Sequence, residues 1–205
     1  MTRLTFAINF FSIALSTVLA APTTAPIIRK SEVIDTIFPH YLVPAVQNFP
    51  NTTYATQHTA QINYTGFDSD MSETTMFVGF DVPYNNATNC LIKFTMPDVL
   101  SGGYEWTAKG SGKFDVYMVT SLIVPGELSW NNRPQRYPTL NPQPLFRITQ
   151  PTQGGEAAVD GYMMRCFNGQ RMDFELVADH QAGMVEFDWF ELDTPKTGIT
   201  MEMSM

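Results

Sequence analysis

The chain has 205 residues, with twelve Lys and Arg against twenty Asp and Glu, for a formal net charge of −8. Its basic residues are few and scattered, which excludes a nucleic-acid partner, because neutralising phosphates takes clustered Lys and Arg. Hydrophobic residues at 44% and aromatics at 13% exclude a disordered chain, and charged residues at 16% fall below the usual quarter.

The first twenty residues carry a single charge, Arg3, followed by an apolar run from Leu4 to Leu19 and small residues up to Pro22. That order predicts a secretory signal peptide over residues 1–20, cut after Ala20. The run is short for a bilayer and has no flanking basic cluster, so no membrane span is expected. Residues 21–37 read as an extended arm. Within it, Arg29-Lys30 is either a processing site or part of an uncut tether, and Ser31–Thr36 suits one helical turn or two.

From residue 38 onward the dominant period is two. Met76, Val78, Phe80 and Val82 form one alternate row, and Cys90, Ile92, Phe94 and Met96 form the next. Phe114, Val116 and Met118 make a third, and Met172, Phe174, Leu176 and Ala178 a fourth. Weaker strand signals lie near 55–63, 103–109, 145–149, 161–167, 184–192 and 197–203. Glycine- and asparagine-rich turns such as Gly110-Ser-Gly112 and Asn168-Gly169 separate the rows. About ten short strands with polar turns predict an antiparallel β-sandwich or jelly roll, built as a single domain over 38–205. Residues 125–151 break the rhythm with six prolines, from Pro125 to Pro151, and predict a long surface excursion.

Three acceptors for N-linked sugar follow the same compartment logic: Asn51-Thr-Thr, Asn63-Tyr-Thr and Asn86-Ala-Thr, none with proline at the middle position. A modified asparagine must face solvent. Cys90 and Cys166 are the only cysteines, an even pair in an oxidising compartment, and predict a disulfide pinning the two sheets together. Closing a loop of about 75 residues stabilises a fold by roughly 4 kcal/mol in the chain-entropy view.

Several segments together resemble a known family. They are Phe38-Pro-His-Tyr-Leu-Val-Pro-Ala-Val46, Phe77-Val-Gly-Phe-Asp-Val-Pro83, Asn89-Cys-Leu-Ile-Lys-Phe94, Trp130-Asn-Asn-Arg-Pro134 and Arg165-Cys-Phe-Asn-Gly169. The resemblance is to the fungal But-two C-terminal-domain family, from about Phe38 to Met203. It implies a fungal source, a β-rich sandwich and an extracellular or surface glycoprotein, and it brings no catalytic residues with it. The family name refers to an activating enzyme for a ubiquitin-like modifier, a partner that a leader peptide does not suit.

Candidate chemistry is sparse. Glu186 and Asp188 share one strand face about 7 Å apart, and with Glu191 they offer carboxylates for glycoside hydrolysis, beyond an expected slip of phase at Trp189-Phe190. A solvated strand face explains the same charges. His40, His58 and His180 have no metal-ligand spacing, and Asp179-His180 lacks a nucleophile elbow. Met201, Met203 and Met205 offer thioethers of the kind copper(I) takes, while Met201 and Met203 serve equally as core packing. No metal and no cofactor is expected.

The stretch from Trp130 to Tyr137 is the most informative. Trp130 and Tyr137 can stack a sugar ring while Asn131, Asn132 and Arg133 bond its hydroxyls, on a loop stiffened by proline. Equally, Trp130 can tuck into the sandwich while the asparagines serve the local backbone. The expected function is that of a secreted, non-catalytic glycoprotein of the fungal surface or cell wall, acting by binding, with wall polysaccharide as the ligand class, or as a structural component. The alternatives are a carbohydrate-active hydrolase and an extracellular effector acting on a host.

Overall fold

A period of two selects a pleated strand, because only there do alternate side chains share a face. The computed structural model describes residues 32–66, 71–98, 106–151, 153–194 and 196–205. The expected signal peptide and Arg29-Lys30 lie outside them. Among the described residues the protein is all-β, with fourteen strands and one 3-10 turn at His180–Ala182. In chain order the strands are β1 (Val33–Ile37), β2 (Tyr41–Val46), β3 (Thr59–Tyr64), β4 (Glu73–Asp81), β5 (Asn89–Met96), β6 (Thr107–Gly110) and β7 (Lys113–Met118). They continue with β8 (Phe146–Thr149), β9 (Gly155–Glu156), β10 (Ala158–Gly161), β11 (Met164–Arg165), β12 (Arg171–Ala178), β13 (Val185–Phe190) and β14 (Gly198–Ser204).

The strands form two antiparallel sheets. The smaller runs β1-β14-β5-β11, with β9 also on β5; the larger runs β10-β8-β7-β12-β4-β3-β13-β6, with β2 also on β4. The alternate rows of the sequence meet between the sheets. Phe94 of β5 is the central knob: its ring stands edge-on to Phe114 of β7 at 5.1 Å and to Trp189 of β13 at 5.2 Å between centroids. Phe187 lies 5.4 Å away. One aromatic from the small sheet is thus enclosed by three from the large one, and edge-to-face geometry adds to the area buried.

Three expectations need correction. The residues read as a helical turn or two, Ser31–Thr36, mostly fall in β1, paired from Val33 to Ile37 with Ser204 to Met201 of β14. The phase does not slip at Trp189-Phe190, since β13 stays in register with β3 from Val185↔Tyr64 to Phe190↔Thr59. The disulfide Cys90–Cys166 forms, but Met164 already pairs with Cys90, so both cysteines belong to the small sheet's side. It ties the turn that leads into β12 and does not bridge the two sheets.

The large sheet has a second cover. Tyr41, Val43 and Ala45 of β2 and Phe77 of β4 point away from the main core, and left exposed they would be an apolar patch. Val119, Ile123 and Leu128 close over them, with Tyr54 and Trp130 packed against the cluster. The segment leading into the excursion, and its first part, therefore form a third layer.

Candidate ligand-binding surface

Packing on that outer cluster determines what the loop residues present. Trp130 is half-buried against it, and the Arg133 guanidinium lies 3.6 Å from the indole centroid, taking one face of the ring. Burial there lowers the pKa of Arg133 from its ordinary value. Asn132 is committed to the turn: its Oδ1 accepts from the Ser129 backbone N–H at 2.6 Å and the Ser129 hydroxyl at 3.1 Å, and its Nδ2 donates to the Glu127 carbonyl. Asn131 is exposed and donates from Nδ2 to Asn51 Oδ1 at 2.8 Å. Tyr137 donates its backbone N–H to the Met118 carbonyl while its side chain stays 57% exposed.

The five proposed contact residues thus sit on one braced loop, but they do not form one stacking platform. Asn131 and Tyr137 face solvent, Asn132 works as a turn residue, and Trp130 and Arg133 stack on each other. Local packing thus accounts for Trp130, Asn132 and Arg133, while Asn131 and Tyr137 remain exposed.

Sequence reasoning missed the charged row beneath. Asp115, Asp173 and Glu175 occupy the outer face of β7 and β12 and are buried, each matched by an arginine. Arg136 Nε donates to Glu175 Oε2 at 2.6 Å, with its guanidinium 4.2 Å over the Tyr117 ring. Arg147 reaches both oxygens of Asp115, at 2.9 and 3.3 Å. Arg171 lies 3.1 Å from Asp173, whose other oxygen accepts the Ile123 backbone N–H at 2.8 Å. The available signal was Phe77 on the polar side of its row, which shows that this face is covered. Arg133, Gln135, Arg136, Thr139 and Glu175 line an open depression of about 390 Å³.

Of the carboxylates proposed for hydrolysis, Glu186 and Asp188 share one strand face as expected, and Glu191 is not brought to them. Glu186 and Asp188 point outward from β13, and Glu186 pairs with Lys109 at 2.8 Å. Burial, and then the adjacent Glu186, raises the Asp188 carboxyl. Glu191 turns to the core side, where Oε2 accepts the Trp189 indole N–H at 2.9 Å and the Ile199 backbone N–H at 3.2 Å. Burial lifts its pKa to about 8. Glu191, His40, His58 and Asp193 line a depression of about 310 Å³.

The histidines are dispersed. His40 lies 2.9 Å from Asp81, and His180 lies 2.8 Å from Glu73 while stacking on Tyr64. Among the described residues no three His, Cys, Asp or Glu side chains converge as a metal site requires. Met201 and Met203 are fully buried core residues, whereas Met205 is exposed. Of the sugar acceptors, Asn51 and Asn86 are exposed and Asn63, on β3, is half-buried.

The family model described as the Ubiquitin 3 binding protein But2 C-terminal domain matches residues 37–195. The chain belongs to this family. The matched span of the But2 domain runs from β2 through β13 and contains the disulfide and the whole excursion. The last strand, β14, falls beyond it, and only Ile37 of β1 falls within it. The family description names a binding role and no reaction, and But2 domains are not a known enzyme family. A comparison with curated proteins returned no match. Among the described residues no helix is long and apolar enough to cross a membrane.

Proposed function

We propose that this But2 domain is a secreted glycoprotein of a fungal surface or cell wall that acts without catalysis, by binding polysaccharide at the 130–137 loop. The observations that support this are the exposed Tyr137 ring and, from its chain neighbour Arg136, a depression lined also by Arg133, Gln135 and Thr139. An open aromatic face next to several hydrogen-bonding side chains is how a shallow site orients a sugar. The Trp130–Arg133 stack and the Arg136–Glu175 pair hold the loop before any ligand arrives, which lowers the ordering cost of binding.

Binding to insoluble chitin, glucan and mannan tests this reading, with product analysis of the same mixtures. Retention by one polysaccharide that Tyr137→Ala weakens about tenfold, without release of reducing ends, supports it; tenfold corresponds to roughly 1.4 kcal/mol. A ubiquitin-fold protein belongs in the same panel because the family description names one. Binding to that protein and to no polysaccharide overturns the reading.

One observation favours a second reading. Glu191, with its pKa near 8, keeps its proton at neutral pH, as a general acid in glycoside hydrolysis must. Against it, Glu186 and Asp188 leave from the opposite side of the strand. Reducing-end release lost in Glu191→Gln would establish it.

A further inference from the structure

Two of the three sugar acceptors share a feature the third lacks: an exposed aromatic two residues before the asparagine. Phe49 precedes Asn51 and is 60% exposed; Tyr84 precedes Asn86 and is 88% exposed. The corresponding residue before Asn63 is Gln61. Large aromatics so exposed leave apolar area in water unless something covers them.

Local geometry aims each ring and its asparagine outward together. A Cβ added at Gly169 would collide with Cζ, Cε1 and Cε2 of Tyr84 at nearly equal distances, so the glycine lies beneath the flat of the ring. Gly169 sits at φ 73°, where glycine costs nothing and other residues are strained. The opposite face of Tyr84 is open. Asn85, between the two, turns inward: its Oδ1 accepts the Ala87 backbone N–H at 2.9 Å and its Nδ2 reaches the Met203 sulfur at 3.8 Å. Tyr84 and Asn86 are thus both exposed in the bend that Asn85 anchors, two residues apart.

At the other site, the Thr52 N–H donates to the Phe49 carbonyl at 2.9 Å and closes a β-turn, with Pro50 second and Asn51 third. The bond from Asn131 Nδ2 to Asn51 Oδ1 holds the carboxamide by its oxygen and leaves free the nitrogen to which sugar attaches. Asn63 differs in every respect. It lies mid-sheet, half-buried between Glu186 and Thr74.

We propose that Phe49 and Tyr84 are seats for the protein's own N-glycans: the first N-acetylglucosamine on Asn51 packs on Phe49, and that on Asn86 packs on Tyr84. The apolar face of the sugar, with its axial C–H groups and acetamido methyl, covers each ring, and the innermost sugar becomes part of the fold. A sugar on Asn63 has no such seat. The inference rests on the reading of the chain as an exported glycoprotein.

The test uses the full chain secreted from yeast, with glycopeptide mapping and thermal unfolding in three forms: intact, trimmed enzymatically to one N-acetylglucosamine per site, and fully stripped. Trimming should leave the melting temperature unchanged. Complete removal should lower it by roughly 2–4 °C per seated site, the shift expected for a contact of this size in a domain of this length. Tyr84→Ala and Phe49→Ala should lower it in the trimmed form and not in the stripped form. The losses from Tyr84→Ala and Asn86→Gln should fail to add, while Asn63→Gln should have no effect. Sugar present at Asn51 and Asn86, but with the aromatic variants equally destabilised in trimmed and stripped protein, overturns the seats and leaves the glycoprotein reading standing. Exported protein without sugar at any of the three sites overturns both.

Discussion

The carboxyl of Glu191 accepts the indole N–H of Trp189 at 2.9 Å, and a Cβ at Gly198 would collide with that same carboxyl. An acid has been placed on the core side of the sheet, in a space that only glycine leaves open. His58, whose backbone carbonyl accepts the Glu191 N–H, borders the same depression with His40, Tyr41 and Asp193.

From this follows a pH dependence. The Glu191 pKa is about 8 in the folded chain against an ordinary 4.5, so the unfolded chain releases this proton first as pH rises. Its contribution to stability is full below pH 4.5, declines between 4.5 and about 8, and is lost above. At about 1.4 kcal/mol per pKa unit, the loss is on the order of a few kcal/mol. Denaturant unfolding from pH 4 to 9 should show this decline in the wild type. Glu191→Gln should flatten it, and an unchanged slope in that variant would refute the assignment.

Glu175 should matter more than a surface acid. Its side chain is buried under the excursion and paired with Arg136. Glu175→Ala leaves the Arg136 guanidinium without its partner and should cost about 3 kcal/mol, the low end for a broken buried pair because Arg136 keeps some water. Limited proteolysis should then cut the 125–144 segment faster than in the wild type. Resistance equal to wild type would mean that the pair does not hold the loop.

Phe94→Ala should cost about 3–5 kcal/mol, since it empties the contact between the sheets and three aromatic neighbours cannot collapse into the gap. Tyr162→Ser, at a fully solvated ring, should stay within about 0.5 kcal/mol. Chemical denaturation of both variants checks the contrast, and similar midpoints would contradict the aromatic junction.

What the sequence made legible was the inner face. The rows Met76–Val82, Cys90–Met96 and Met172–Ala178 stand out because every second side chain meets the core, while small or charged residues such as Gly79, Asp81, Lys93, Asp173 and Glu175 interleave them. β2 escaped notice because both of its faces are buried, which erases alternation, and because Pro44 speaks against a strand; Pro44 is tolerated because β2 pairs with β4 alone. β1 escaped because it is short and largely exposed. The candidate loop was recognisable from its prolines, yet the fate of Trp130 depended on Val43, Ala45 and Phe77, distant in sequence and joined to it only by the fold. Glu191 looked like one more surface acid, and only the unbroken register of β13 reveals that it faces inward.

The pairing of β1 with β14 has a practical consequence. The family match begins at residue 37, so a boundary drawn by homology removes almost all of β1. The backbone donors and acceptors of β14, from Met201 to Ser204, would then lie bare along the sheet margin, a template for any other extended chain. A version starting at Phe38 should self-associate through that margin, and one that retains Glu32 to Ile37 should remain dispersed.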